Sequence, residues 1–237
     1  MLHQFIFAAP KPGMTEAAFQ DYWVNRHAVD FAARIPGIRL YCVDTRLPGG
    51  PQPERPLFGG CAEIWLDDAA ALVAALRSPE MIAGARADEP NWAAYWQTIA
   101  MNTETVPVME GPPIARDTLP VKVMLMLKRR PGMTLKDFRL YALETHAPRM
   151  AKLPGLRRYH QCVTPPCFYA VAETPLDAVH LLWFDDAAAA SAALASAVFR
   201  SAFEADATNF LDTRYLHRMI VREIWIIGPD ASYGSAP

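Results

Sequence analysis

No stretch of this 237-residue chain stays apolar over the roughly 20 residues that a membrane-spanning helix needs. Its first residues, Met1 to Phe7, lack the basic start and long apolar run of a secretion signal and read as a strand. Charge of either sign is not in excess: 23 Lys and Arg against 25 Asp and Glu leave a net charge of -2. Nucleic acid and anionic membranes therefore have no electrostatic footprint here. Cysteine is scarce. Cys42, Cys61, Cys162 and Cys167 form no Cys-x-x-Cys pair and do not fall at matching places, which predicts free thiols in a reducing cytoplasm and no metal site. Gly49-Gly50 lies among prolines and opens no helix, so a dinucleotide or ATP loop is not expected. A Gly-x-Ser-x-Gly elbow and a paired-carboxylate arrangement are also missing, which argues against serine-hydrolase and glycosidase chemistry.

Hydrophobic content is ample, at 52% with 20% charged residues, enough for a well-buried core. The chain also repeats itself. Gly13-Met14-Thr15, Phe19, Tyr22, His27-Ala28 and Pro36-Gly37 recur as Gly132-Met133-Thr134, Phe138, Tyr141, His146-Ala147 and Pro154-Gly155. The offset is 119 residues between His27 and His146 and 118 between Pro36 and Pro154. That register carries Trp65 onto Trp183, Asp88 onto Asp206 and Asn91 onto Asn209. A period this long is not a solenoid; it is one small domain present twice. The expected division is a first domain at 1–111, a linker at 112–119, a second domain at 120–229 and a tail at 230–237.

Each copy orders its elements in the same way. In the first, Phe5 to Phe7 reads as a strand, and Thr15 sits where a helix N-cap belongs. Phe19, Trp23, His27 and Phe31 then fall at four-residue steps along one helical stripe, which Pro36-Gly37 ends. Ile38 to Val43 and Phe58 to Leu66 read as strands, Asp67-Asp68 caps a helix rich in alanine and leucine, and Thr103 to Met109 closes as a strand. The result is βαββαβ, an α+β, ferredoxin-like arrangement with both helices on one face of an antiparallel sheet. The other sheet face is also apolar, as Met124 and Met126 illustrate. Two such sheets are therefore predicted to pair into one pseudo-symmetric α+β barrel.

The repeated residues, together with Pro154-Gly155-Leu156-Arg157-Arg158-Tyr159 and a Trp-x-Asp-Asp end to the third strand, resemble the signature of the EthD family within the dimeric α+β barrel superfamily. The likeness spans both halves. It implies the barrel and points to small-molecule chemistry; relatives in the superfamily include cofactor-free cyclases, monooxygenases, isomerases and haem enzymes. Where the family pattern has Tyr-Trp, as in Tyr22-Trp23, the second copy has Tyr141-Ala142, so its pocket is expected to be wider or less active.

His27 and His146 titrate near neutral pH and occupy the same place in both copies, which makes them candidate general bases. Tyr22 and Tyr141 lie earlier on the same helices and are candidates for steadying a developing oxyanion. Trp23, Tyr41, Trp65, Tyr159 and Trp92 are candidate substrate contacts, with Tyr95 and Trp96 extending an aromatic flank in the first copy. A purely structural role, fixing the helix-to-strand corner, is the alternative for the two histidines. The first reading is thus an enzyme of cyclase, dehydratase, isomerase or decarboxylase type, without organic cofactor, for a small hydrophobic or aromatic molecule. A non-catalytic binder of such molecules comes second and a haem protein third. The expected assembly is an intramolecular pseudo-dimer, with a further homodimer left open.

Overall fold

A computed structural model describes residues 1–51, 56–111, 121–170 and 172–228; the expected linker at 112–119 and tail at 230–237 lie outside the described residues. Strand β1 (Leu2–Ala8) leads to α1 (Glu16–Tyr22), which continues without a break as a π-wound segment, Trp23–Phe31, and a 3-10 turn, Ala32–Arg34. β2 (Ile38–Arg46), β3 (Gly60–Leu66), α2 (Ala69–Arg77) and β4 (Ile99–Met109) follow. The second copy repeats the series as β5 (Val121–Leu127), α3 (Leu135–Leu140), β6 (Arg158–Val163), β7 (Ala178–Phe184), α4 (Ala187–Leu194) and β8 (His217–Ile227). Thr15, Asp68, Thr134 and Asp186 each accept a backbone N–H of the first turn; Thr15 and the Asp67-Asp68 pair are the caps read from sequence. No helix among the described residues is long and apolar enough to cross a membrane.

Both four-stranded sheets have the order β4-β1-β3-β2 and β8-β5-β7-β6, and they join edge to edge through β2–β8 and β4–β6 into a closed, antiparallel, eight-stranded barrel. Closure leaves no free edge strand. Alternation along the strands then separates two environments. Phe5, Phe7, Met124, Met126, Leu181 and Met219 point into the lumen and pack there as one cluster. Ala8, Tyr41, Ile64 and Leu66 point outward beneath the helices of the first copy, with a matching layer under those of the second.

The π winding aligns the site. Four residues overshoot an α-turn of 3.6 residues and fall short of an i→i+5 turn, so the drift from Phe19 to Trp23 is reversed between Trp23 and His27. Phe19, Trp23 and His27 thereby stay on one line facing the sheet, and all three are buried. Tyr141–His146 is π-wound as well, so the second histidine is presented in the same way.

Candidate functional site

His27 is met by a short helical stretch that follows α2. The carboxylate of Asp88 lies 2.9 Å from His27 Nδ1, accepts the Tyr22 hydroxyl at 2.8 Å and accepts the Asn91 amide at 3.0 Å. Trp92 Nε1 is also 3.2 Å from His27 Nδ1. One ring nitrogen cannot both accept from an indole and donate to a carboxylate. A bare nitrogen facing Asp88 would set two lone pairs against each other, so the proton belongs on Nδ1. Nε2 then carries the free lone pair. Burial holds the His27 pKa below its ordinary 6.5 despite the opposing pull of Asp88, so the ring is neutral at neutral pH. Burial pushes the Asp88 carboxyl up, but the hydrogen bonds from Asn91, His27 and Tyr22 outweigh it and leave its pKa lowered.

The second copy repeats this network. Asp206 lies 3.1 Å from His146 Nδ1 and accepts from Tyr141 at 2.6 Å and Asn209 at 3.0 Å. The exposed Arg149 adds a contact to the same carboxylate at 3.0 Å.

What the copies do not share is space. A cavity of about 190 Å3 lies between the sheet and the helices of the first copy, walled by Trp23, His27, Tyr41, Ile64 and Trp92, with Gln4, Glu89 and Thr98 as polar points. An apolar cavity of about 150 Å3 holds benzene, so this one suits a ligand of one or two rings. In the second copy larger side chains stand at the matching positions: His180 for Ala62, Phe184 for Leu66, Phe199 for Met81 and Phe203 for Ala85, all buried. His146 Nε2 is consequently enclosed without a partner, and its ring packs on Phe203 and Phe210. Beside Ala142 the second copy carries a further difference. Gln161, standing where the first copy has Val43, donates to the Ala142 carbonyl at 2.8 Å and to the Tyr159 hydroxyl at 2.9 Å.

The cavity brings together His27, Trp23, Tyr41 and Trp92 from the sequence candidates. Burial pushes the Tyr41 phenol well above its ordinary range, so it stays protonated. Other candidates lie elsewhere. The Tyr22 and Tyr141 hydroxyls are engaged by Asp88 and Asp206, which makes them part of the support for each histidine and not free oxyanion donors. Trp65 alternates with Ile64 and Leu66, so it faces the lumen, stacked on His3 at 4.2 Å and on Trp225 at 5.6 Å. His146, Tyr141 and Tyr159 belong to the filled layer, where the Tyr159 hydroxyl is 2.9 Å from His180 Nδ1. Tyr95 and Trp96, 52% and 58% exposed, pack on each other outside the cavity.

Sequence reasoning missed Asp88 and Glu89 as site residues. Asp88 did leave a signal, since Asp88 and Asn91 recur as Asp206 and Asn209 in the repeat. Glu89 left none, because the second copy has Ala207 there. Glu89 lines the cavity, and burial holds its pKa above the usual range. A porphyrin is larger than the drug-sized ligands that need about 300–1,000 Å3, so haem does not fit this cavity. All four cysteines are free thiols, three of them buried and Cys167 exposed.

A model of the EthD domain matches the chain twice, at residues 11–95 and 130–214. No curated protein matches it. Among solved structures, an anthrone oxidase-like protein is 14% identical, with 94% of this chain and 90% of that one covered and a TM-score of 0.66. A proposed monooxygenase from Fusobacterium nucleatum subsp. nucleatum is 11% identical, covering 94% of this chain and 91% of its own at a TM-score of 0.55. An ethyl tert-butyl ether D (EthD) family protein from Bacillus halodurans C-125 is 23% identical over 43% of this chain and 95% of its own, with a TM-score of 0.36. At these identities the first two likenesses establish the barrel fold alone.

Proposed function

The chain belongs to the EthD domain family, with two copies of the domain, and from that premise we propose that it is an acid–base enzyme without organic cofactor, acting on a small aromatic ketone or phenol held in the first copy. The observation that carries this reading is a neutral imidazole, fixed through Nδ1 by a buried carboxylate, in the wall of an apolar cavity. An imidazole so oriented has its basic nitrogen available for a proton on a bound molecule, the role in which histidine most often serves.

The reaction is a proton transfer. His27 Nε2 removes a proton from the carbon next to a carbonyl, and Asp88 steadies the imidazolium that forms. Glu89, protonated to higher pH than an ordinary carboxylic acid because it is desolvated, is the group placed to hydrogen-bond the enolate oxygen or return a proton. Isomerisation, dehydration and aldol cyclisation use such a step, and decarboxylation shares only the enolate and its reprotonation. The name of the anthrone oxidase-like relative points to a tricyclic aromatic ketone, the same chemical class with one more ring.

The test uses 1-tetralone, a two-ring ketone, incubated with the protein in D2O and followed by NMR. Deuterium is expected at the α-carbon faster than in buffer, with His27→Ala losing about 100-fold or more of that rate. Tryptophan quenching by 1-tetralone without any enzyme-dependent exchange would instead establish a non-catalytic binder and sink the proposal.

A further inference from the structure

The lumen, on the opposite face of the sheet from the cavity, holds a charge cluster that the proposed chemistry does not use. It arises from register. β2 and β8 pair antiparallel with Asp44 opposite Glu223, and Cys42, two residues before Asp44, shares their face. Two carboxylates directly opposite one another in a sheet repel. Glu63 on β3 joins them, and Lys122 on β5 reaches in from the second copy. Lys122 Nζ lies 3.0 Å from Asp44 Oδ1, 2.9 Å from Glu223 Oε1 and in contact with Glu63 Oε1. His3 Nε2 is 2.7 Å from Glu63 Oε2, and the Trp183 indole N–H donates to Glu223 Oε1. Each of these charged side chains is 3% exposed or less.

The charges do not balance. Three carboxylates contact one ammonium, and the Arg158 guanidinium, over the Trp183 ring, also acts on Glu223 from farther off, so the carboxylates outnumber these cations by one with His3 neutral. Two carboxylate oxygens, Asp44 Oδ2 and Glu223 Oε2, are fully enclosed and accept no hydrogen bond from a donor among the described residues. These are the oxygens turned away from Lys122. An ionised group buried in this way is costly unless a cation or a full set of donors meets it. The cluster also has a third donor of a different kind, since the ligand atoms of Cys42, Asp44 and Glu223 all lie within 4.8 Å of one another. Ligands held about 2.0–2.3 Å from a zinc ion stand at most about 4.6 Å apart, so small side-chain adjustments bring the three onto one ion.

We propose that Cys42, Asp44 and Glu223 form a buried binding site for a divalent transition metal of the zinc class inside the barrel. A thiolate with two carboxylates suits zinc or cobalt; magnesium and calcium prefer all-oxygen shells. Binding releases the Cys42 proton to solvent, so the divalent ion offsets the new thiolate and one further negative charge, and it gives both enclosed oxygens a partner. A proton on Asp44 is the rival occupant, and burial does hold that carboxyl well above its ordinary range. It leaves Glu223 Oε2 bare, and the Cys42 thiol then serves only as a donor to Asp44 Oδ1 at 3.6 Å. The site exists at one seam only: at the matching β4–β6 seam Thr105 stands opposite Cys162, so no acidic pair forms.

The full chain is produced in zinc-supplemented or cobalt-supplemented medium, purified without a metal-affinity step and passed through gel filtration. Elemental analysis is expected to find stoichiometric zinc, and the cobalt form a near-ultraviolet thiolate-to-cobalt absorption band. Cys42→Ser is expected to abolish the band, and Cys42→Ser and Glu223→Gln to lower retained metal at least tenfold. Cys167→Ser, at the exposed cysteine, should leave both unchanged. Circular dichroism separates loss of metal from loss of fold. If a variant does not fold, the cobalt band of the unsubstituted protein alone decides. A metal-free protein without that band, or a band that survives in folded Cys42→Ser, overturns the proposal and leaves the proton as occupant. Neither result bears on the 1-tetralone assay, which reads the opposite face of the sheet.

Discussion

His27 and His146 each carry an equivalent carboxylate and tyrosine, yet His27 lines a cavity while His146 Nε2 is enclosed. The difference comes from neighbours such as Ala85 and Phe203, and not from the histidines. Asp88→Asn keeps the shape of the support but removes its charge, so the imidazolium formed during proton transfer loses its stabilisation. The expected result is a fall of about 10- to 100-fold in 1-tetralone exchange with little change in the concentration giving half-maximal rate. An unchanged rate would show that Asp88 only holds structure. Acid should also weaken the fold. His27, His146, His180 and His3 all have pKa values below 6.5 in the folded chain, chiefly through burial. Below pH 6.5 the unfolded chain takes up protons that the folded one refuses, so stability declines as pH falls from about 6.5 toward 5. Asp88 and Asp206, with lowered values, add a further loss only below their ordinary 3.8. Guanidinium unfolding at pH 8, 7, 6 and 5 checks the first window, and equal stability across it would contradict the assignment.

At the scale of elements, the four-residue stripe of Phe19, Trp23 and His27 announces a helix but not its π winding. The winding depends on backbone hydrogen bonds that shift from i→i+4 to i→i+5, a choice the side-chain pattern does not record. The cap residues were readable, because a side-chain oxygen before a helix serves the first free N–H groups wherever it stands. Thr15→Ala should therefore cost about 1 kcal/mol by chemical denaturation. The helical segment Glu80–Ala85 closes the cavity, and its second-copy counterpart supplies a natural experiment. Ala85→Phe places in the first copy the residue found at Phe203. It should abolish tryptophan quenching by 1-tetralone while leaving the melting temperature unchanged or raised, since it fills space already present. Quenching that persists would place the binding site elsewhere. Trp23→Ala has the opposite character: it removes a buried indole from the cavity wall and should cost about 3–5 kcal/mol.

At the scale of the whole molecule, the two domains are one body because each supplies half of a barrel wall. Phe5 and Phe7 from one half and Met124 and Met126 from the other share a single lumen cluster. Residues 1–111 expressed alone would expose that face, so they are expected to dimerise or aggregate, and to be rescued by co-expression with 120–237. A stable monomer of the first half in gel filtration would count against this view of closure.

The amino-acid sequence by itself determined the duplication, the βαββαβ order, the capped helices and the pairing of the two sheets. Each of those follows from local periodicity or from the need to bury a second apolar sheet face. It also pointed to His27, Trp23, Tyr41 and Trp92. Only the tertiary structure decided that Asp88 orients His27 from 61 residues away, that Trp65 turns from the cavity into the lumen, and that one copy is open and the other filled. Those outcomes depend on which side chains meet across elements distant in the chain, and on the volumes they leave between them. Periodicity along a strand or helix carries neither.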